Sequence, residues 1–221
     1  MNIASYIDHT CLKPDSTLED IKKLCAEALG NGFASVCVPP LYVKTAATLL
    51  AGSLVKTATV IGFPFGYSAI ESKLAEIVLA IVDGADELDM VINIAAVKNG
   101  DWQFVANEIN TILPVIRNKQ RVLKLIIETG LLTEDEIIKC CELYGAAGVD
   151  FVKTSTGFSG KGATVEGVAL MKRHLPAQVQ IKASGGIRSY ALATALIAAG
   201  ASRIGCSCSI DIIQQDEQSA V

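Results

Sequence analysis

Histidine is scarce in this chain, and its scarcity narrows the chemistry that the protein can perform. The 221 residues include two histidines, His9 and His174. Catalytic zinc sites commonly use several histidines, and a Ser-His-Asp triad needs one beside its nucleophile. His174 lies at a predicted helix end, where a cationic side chain suits the helix dipole. We therefore expect neither a triad nor a histidine-rich zinc site, and we expect no metal and no cofactor.

Positive charge, aromatic residues and long apolar runs are also limited. The formal net charge is −4, and the aromatic share is 5%, with one Trp. A net negative charge argues against nucleic acid or an anionic membrane as the main partner. The N-terminus shows no signal-peptide pattern, and no apolar segment of transmembrane length lacks a charge or a glycine. We expect a soluble, cytoplasmic protein that acts on small molecules.

The cysteines do not form the pattern of a disulfide framework. There are seven of them, an odd number, and they are scattered through apolar segments. Disulfide frameworks belong mainly to small secreted domains. Cys206 and Cys208 form a Cys-x-Cys pair, but zinc sites generally use wider spacing and a second pair. We expect the cysteines to be reduced, and these two to pack at a strand end.

What the chain does contain is an alternation of short apolar segments with segments of helical periodicity. The hydrophobic share of 51% consists mainly of Ala, Val, Ile and Leu, which is typical of buried parallel strands and their covering helices. Eight such units predict an α/β fold, a compact (β/α)8 TIM barrel. It forms a single domain over residues 1–221, with a short tail at 209–221. An open doubly wound sheet is the alternative, but its Gly-x-Gly-x-x-Gly turn after the first strand is absent.

The periodicity also predicts the element bounds. Ser16 and Glu19 have capping-box spacing at the start of the first helix, and Thr133 begins a similar cap later in the chain. The predicted strands are residues 3–8, 33–38, 57–61, 87–92, 122–127, 151–154, 179–183 and 203–206. The predicted helices after the first are residues 39–50, 69–82, 104–117, a helix capped at 133–136 that ends near 145–148, 164–175 and 189–199.

Two lysines stand at positions where a buried parallel strand normally has Val or Ile. Lys153 and Lys182 are each followed by small residues and a glycine, and they lie on successive predicted strands. A buried amine is costly unless it is paired or has lost its proton, and a neutral amine is what attack on a carbonyl requires. Proximity of two ammonium groups and burial both disfavour protonation. We expect one neutral amine beside one ammonium, which predicts Schiff-base chemistry.

Further charged residues interrupt the other predicted strands. Asp8, Asp89 and Lys124 each lie in an otherwise apolar segment. Such a residue is commonly half of an internal ion pair, and Asp86 and Glu87 can be read as solvated turn residues. Since apolar packing is often as stable as a buried ion pair, several such groups on several strands favour a functional site. Asp89 could then move protons during carbinolamine formation and dehydration.

Glycine-rich segments follow the same strands. Gly157 follows Lys153, Gly185 and Gly186 follow Lys182, and residues 205–209 read Gly-Cys-Ser-Cys-Ser. Accessible backbone N–H groups of this kind bind phosphate, and TIM barrels often hold phosphate after strands seven and eight. Any tight turn also uses glycine, so the position beside the lysines is what favours a phosphate site.

These segments resemble deoxyribose-phosphate aldolase over nearly the whole chain. The matching motifs are IDHT at 7–10, GFP at 62–64, GADELDMV at 84–91, KLIIETG at 124–130, KTSTGF at 153–158 and KASGGIR at 182–188. The resemblance implies a class I aldolase that reversibly cleaves 2-deoxy-D-ribose 5-phosphate to acetaldehyde and D-glyceraldehyde 3-phosphate. It also implies a possible homodimer.

The resemblance further implies a role for each motif residue. Lys153 would form the Schiff base, Lys182 would lower its pKa, and Asp89 would relay protons. The pocket would be lined by Asp8, Thr10 and Lys124, and the phosphate would be bound by Gly157, Gly185, Gly186 and Ser207. The alternatives are another lysine-dependent sugar-phosphate aldolase or transaldolase, or a catalytically dead sugar-phosphate-binding homologue.

Three departures from the family pattern are present. No tyrosine follows Tyr190, whereas many members end in a tyrosine that assists proton transfer. Cys206 and Cys208 occupy the strand-eight turn, where Thr, Ser or Ala is usual. Phe65 stands where relatives often have His. We expect slower or water-mediated proton exchange from the first departure and altered phosphate contacts from the second.

Overall fold

The computed structural model describes residues 2–219 and contains a closed barrel of parallel strands. The order around the barrel follows the order along the chain, and the eighth strand pairs with the first. This confirms the predicted TIM barrel. The strands are β1 (Ile7–Thr10), β2 (Ser35–Val38), β3 (Lys56–Ile61), β4 (Glu87–Val91), β5 (Val122–Ile126), β6 (Phe151–Lys153), β7 (Gln180–Ser184) and β8 (Arg203–Cys206).

Helices connect these strands and form the outer layer. Their amphipathic faces bury Ala, Val, Ile and Leu against the outward side chains of the strands. They are α1 (Leu18–Asn31), α2 (Val43–Leu49), α3 (Ile70–Val82), α4 (Ile94–Lys98), α5 (Trp102–Asn118), α6 (Glu134–Ala147), α7 (Val165–His174), α8 (Tyr190–Ala198) and α9 (Ser209–Ser219). Within residues 2–219, none of them is both long and apolar enough to cross a membrane.

The start of the chain differs from the prediction. Residues 3–8 were expected to form the first strand, but Ile3–Tyr6 is a 3₁₀ turn and β1 begins at Ile7. The Asn2 side chain accepts a hydrogen bond from the backbone N–H of Ala4, which stabilises the turn. Ile3 and Ala4 are buried, so their apolar character reflects packing in a turn and not a strand.

The capping box of α1 lies one residue later than predicted. Thr17 and Asp20 form it, because the Thr17 hydroxyl accepts from the Asp20 N–H and the Asp20 carboxylate accepts from the Thr17 N–H. The Ser16 hydroxyl donates instead to the carbonyl of Lys13. Both pairs have the same spacing, so spacing alone cannot separate them. At α6 the predicted Thr133 cap is confirmed, with Glu136 as its partner.

Three helical segments differ from the prediction. The segment after β2 is a 3₁₀ turn at Pro40–Tyr42 followed by α2, and not one helix. The short helix α4 was not predicted. The tail expected at 209–221 is helical over Ser209–Ser219, and residues 220–221 lie outside the described range. His174 is the last residue of α7, as predicted.

The inside of the barrel differs from the apolar outer layer. Because side chains alternate faces along a strand, every second residue points inward. The inner apolar group is small and consists of Cys37, Ala58 and Val60. Each of the other strands, β1, β4, β5, β6, β7 and β8, carries at least one charged residue at an inward position, and these residues are described next.

Candidate active site

Lys153 and Lys182 lie side by side in the barrel. They are register partners on β6 and β7, the arrangement that the sequence predicted. Both are buried, and each Nζ donates a hydrogen bond to the same oxygen, Asp89 Oδ2, at 2.7 Å. The two amines therefore compete for one carboxylate oxygen.

Asp89 is the centre of this cluster. It lies on β4, is fully buried, and accepts a third hydrogen bond at Oδ1 from Lys124 Nζ at 2.9 Å. Burial alone would raise the pKa of Asp89, but the three neighbouring lysines hold it well below its ordinary value. Asp89 is therefore ionised at neutral pH.

A second layer of ion pairs lies beneath this one. Asp8 Oδ2 is 2.5 Å from Lys182 Nζ and 3.7 Å from Lys124 Nζ. Glu87 Oε2 is 2.5 Å from Lys124 Nζ, and Glu87 Oε1 is 2.7 Å from Nη2 of Arg203. Arg203 also pairs with Asp8. Burial would raise the pKa of Asp8, but Lys182, Lys124 and Arg203 hold it below its ordinary value.

Sequence reasoning missed Glu87 and Arg203. Glu87 was read as a solvated turn residue and Arg203 only as the start of a strand. Glu87 is in fact buried, and it stands two positions before Asp89 on β4, so both side chains point inward. Arg203 likewise stands two positions before Gly205 on β8, and Gly205 faces the Lys182 side chain inside the barrel. The alternation of inward and outward positions along each strand was the signal that could have identified Glu87 and Arg203.

The environment separates the two amines. Burial is the main cause that lowers the pKa of Lys153; the Asp89 carboxylate opposes it, and the positive charge of Lys182 reinforces it. Burial would also lower the pKa of Lys182, but Asp8 and Asp89 raise it above its ordinary value. Lys182 has two carboxylate partners, whereas Lys153 has a share of one. Lys153 is therefore the amine that loses its proton more readily.

A cavity of about 730 Å³ opens at the carboxyl ends of the strands. Lys153 lines this cavity, whereas Lys182, Lys124 and Asp89 lie below its surface. Of the predicted substrate-binding residues, Asp8 and Lys124 do not line it. The predicted residues that do line it are Thr10, Lys153, Gly157, Gly185, Gly186 and Ser207.

The glycines at the rim allow the loops after β6 and β7 to approach closely. Gly157, Gly185 and Gly186 have φ of 88°, 87° and 74°, a conformation that side chains other than glycine rarely adopt. A Cβ on Gly162 would overlap the backbone of Gly185. The exposed Arg188 also lines the cavity beside these turns. Sequence reasoning did not single it out, although its cationic side chain stands only two residues after Gly186.

A buried carboxylate supports the loop that follows Lys153. Glu128 Oε2 accepts a hydrogen bond from the Thr156 backbone N–H at 3.2 Å, and it also accepts one from the Thr156 hydroxyl. Glu128 itself adopts a left-handed conformation, with φ of 56°. Non-glycine residues in this conformation carry strain and cluster at functional sites. Glu128 thus fixes the segment between Lys153 and Gly157.

A larger cavity, of about 890 Å³, lies outside the barrel between α6 and α7. Gly185 and Gly186 form a wall that it shares with the barrel cavity, but none of the barrel lysines lines it. Within residues 2–219, no group of three or more His, Cys, Asp or Glu side chains is placed to hold a metal ion. The seven cysteines are unpaired.

Known proteins are similar to this chain over nearly its whole length. Residues 2–215 match the family model described as DeoC/LacD family aldolase. Deoxyribose-phosphate aldolase of Brevibacillus brevis is 54% identical over 213 residues, which are 96% of this chain and 96% of that protein. The enzyme of the same name from Thermococcus gammatolerans is 53% identical over 216 residues, covering 97% of this chain and 96% of that one.

A solved structure agrees with the sequence matches. The tetrameric deoxyribose phosphate aldolase of Aeropyrum pernix superimposes with a TM-score of 0.91 at 33% identity, covering 99% of this chain and 92% of that one. The resemblance found in the sequence is confirmed. The chain belongs to the DeoC/LacD family of aldolases.

Proposed function

We propose that this chain reversibly cleaves 2-deoxy-D-ribose 5-phosphate to acetaldehyde and D-glyceraldehyde 3-phosphate through a Schiff base on Lys153. One observation carries the assignment of the lysine. Of the three barrel lysines, Lys153 lines the cavity, and its pKa is lowered mainly by burial. The names of the relatives support the choice of substrate.

Schiff-base formation follows from the hydrogen bond between Lys153 and Asp89. The neutral amine of Lys153 attacks the aldehyde carbon C1 of the open-chain sugar and forms a carbinolamine. Loss of the hydroxyl as water requires a proton, and the iminium nitrogen bears the positive charge afterwards. In this proposal Asp89 passes protons between Lys153 and Lys182, and the 2.7 Å distance from its Oδ2 to Nζ of each lysine supports that role.

The iminium then accepts the electrons of the bond that breaks. Removal of the proton from the C3 hydroxyl forms the new aldehyde, the C2–C3 bond breaks, and its electron pair enters the iminium to give an enamine. D-glyceraldehyde 3-phosphate leaves. Protonation of the enamine at C2 and hydrolysis then release acetaldehyde and restore the Lys153 amine. The five carbons are thus divided into three and two, without a net oxidation.

We assign the phosphate end of the substrate to the rim of the cavity. Gly157, Gly185 and Gly186 offer backbone N–H groups, and Ser207 offers a hydroxyl. Arg188 adds a positive charge on the same rim, and its guanidinium can donate two parallel hydrogen bonds to a phosphate. These contacts would orient the sugar with its aldehyde toward Lys153 in the cavity.

Reductive trapping tests this proposal. Treatment with acetaldehyde and borohydride, followed by peptide mass mapping, is expected to give an N-ethyl group on Lys153. Lys73 is the internal control, because it is also buried with a lowered pKa but does not line the cavity. An adduct on another lysine, or none, would overturn the site. Release of free acetaldehyde from the sugar phosphate separates this activity from a transaldolase-like reaction and from a catalytically dead binding protein.

We also propose that the chain works in the cytoplasm and as a homo-oligomer. The unpaired cysteines support a reducing compartment. Exposed Val78, Leu79 and Val82 on α3 support self-association, and the relative from Aeropyrum pernix is tetrameric. Light scattering after gel filtration would test the assembly, and a monomer at micromolar concentration would contradict it.

A further inference from the structure

The charges inside the barrel nearly balance, and the balance includes a layer of residues that does not line the cavity. Three carboxylates, Asp8, Glu87 and Asp89, face the interior. Lys124, Lys182 and Arg203 supply three positive charges against them. The interior is therefore neutral when Lys153 is uncharged, and it carries one excess positive charge when Lys153 is protonated.

The two remaining strands, β2 and β3, add no buried charge. The buried inward residues of β3 are Ala58 and Val60, which are apolar, and Lys56 at the first position of the strand is exposed to solvent. On β2 the inward Cys37 is buried, and burial raises the pKa of its thiol to about 11, so it is uncharged at neutral pH. Apart from the exposed Lys56, the count of three against three thus includes every charged group besides Lys153 at an inward position of the eight strands.

Among these charged residues, Arg203 and Glu87 lie deepest in the barrel. They are the first residues of β8 and β4, at the end of the barrel opposite the cavity, and neither lines the cavity. Arg203 bridges Glu87 and Asp8, whereas Glu87 also pairs with Lys124 at 2.5 Å. Arg203 Cζ and Lys124 Nζ lie 5.9 Å and 6.0 Å from the centroid of the Phe151 ring at the start of β6. Arg203 and Glu87 are therefore out of reach of a substrate in the cavity.

We propose that Arg203 and Glu87 are positioning residues that set the charge balance of the barrel and thereby leave Lys153 as the uncharged amine. The inference rests on the proposed function, because it concerns the proton of the lysine that forms the Schiff base. Arg203 pairs with Glu87 and with Oδ1 of Asp8, while Oδ2 of Asp8 and Oδ2 of Asp89 pair with Lys182. If Arg203 were lost, three carboxylates would face two cations, and a proton on Lys153 would restore neutrality.

The proposal predicts shifts of opposite sign for the two residues. The rate at which acetaldehyde and cyanoborohydride ethylate Lys153 is measured against pH by peptide mass spectrometry. The midpoint of this curve reports the pH at which the Lys153 amine loses its proton. Arg203→Met is expected to move the midpoint upward by roughly one pH unit, and Glu87→Gln downward by a similar amount. The double variant, which removes one charge of each sign, is expected to return close to the wild-type midpoint.

Two controls separate charge from structure. Arg203→Lys keeps the charge without the planar fork, and it is expected to leave the midpoint in place. Arg121→Met breaks the half-exposed pair of Arg121 with Asp86, whose nearest atoms are 3.3 Å apart, and is expected to shift nothing. A purely structural role would lower the rates of both barrel variants without opposite shifts.

The outcomes are distinguishable from failure of the proposed function. If Lys153 of the wild-type protein forms no adduct, the Schiff-base assignment itself fails. If it forms the adduct but Arg203→Met and Glu87→Gln leave the midpoint unchanged or shift it in the same direction, the charge-balance inference is overturned. If neither single variant folds, as judged by circular dichroism, a displaced midpoint in the double variant overturns it instead.

Discussion

Lys73 in the outer layer and Lys153 in the barrel are both buried, and burial is the main cause that lowers the pKa of each. Their partners differ. Lys73 Nζ donates to Glu108 Oε1 at 2.6 Å and to the carbonyl of Val91 at 2.8 Å, and it is fully enclosed. Lys153 shares its carboxylate with two other lysines and lines a cavity. A lowered pKa therefore identifies a buried amine, whereas shared partners and access identify a reactive one.

The surroundings of Lys73 explain its structural role. Glu108 on α5 also accepts a hydrogen bond from the backbone N–H of Asn93 at 3.2 Å. The Lys73 side chain lies against Gly62, where a Cβ would come within 2.8 Å of Lys73 Cε. The pair thus fastens α3 and α5 to the ends of β3 and β4, and the latter strand carries Asp89.

Replacing Lys153 is expected to have the largest effect on activity. For Lys153→Met we expect sugar-phosphate cleavage to fall on the order of 10³-fold or more, because the nucleophile is lost. The thermal unfolding midpoint is expected to stay or rise, since the remaining three cations still balance three carboxylates. Steady-state cleavage assays and calorimetry check both parts. Retention of full activity would show that another amine performs the reaction.

Replacing Lys73 should have the opposite pattern. Lys73→Met leaves Glu108 as an unpaired buried charge, and we expect the free energy of unfolding to fall by about 3–5 kcal/mol. Below the unfolding temperature, the folded fraction is expected to keep most of its catalytic rate. Urea denaturation and cleavage assays on the same preparations would measure both effects.

A double variant isolates the charge in that experiment. Lys73→Met/Glu108→Leu removes both members of the pair, so most of the lost stability should return. If the double variant is as unstable as Lys73→Met, packing against Gly62 and not the unpaired Glu108 causes the loss. If either variant abolishes turnover in folded protein, the distinction between the two lysines fails.

The sequence predicts the barrel well because its signals are local and repeated. All eight strands were placed within a few residues, since apolar runs and helix-ending glycines recur at regular intervals. The errors fall where two local patterns compete, as at Thr17 beside Ser16, or where an apolar turn resembles a strand, as at Ile3. The helix α9 was missed because its sequence is mostly polar after Ile213.

The candidate site was predicted only in part, for a physical reason. The lysines of β6 and β7 stood out because a charge in an apolar strand is conspicuous. Arg203 and Glu87 begin their strands, where charges are ordinary, and only the closure of the barrel brings them together across more than a hundred residues. The buried pair of Lys73 and Glu108 was also missed, because each residue lies on a helix, where charged residues are expected to face solvent.

The pH dependence of stability tests what the two lysines share. Each has a folded-state pKa below the ordinary 10.5, so between these two values the unfolded chain binds more protons. The free energy of unfolding should therefore rise with pH in that window and level off above 10.5, by at most about 1.4 kcal/mol per pH unit for each lysine. Lys153→Met and Lys73→Met should each flatten part of this rise in urea titrations at successive pH values. If only Lys73→Met flattens the rise, the amine of Lys153 keeps its proton in the folded protein over this pH range. A lowered pKa would then be a property of Lys73 and not of both lysines.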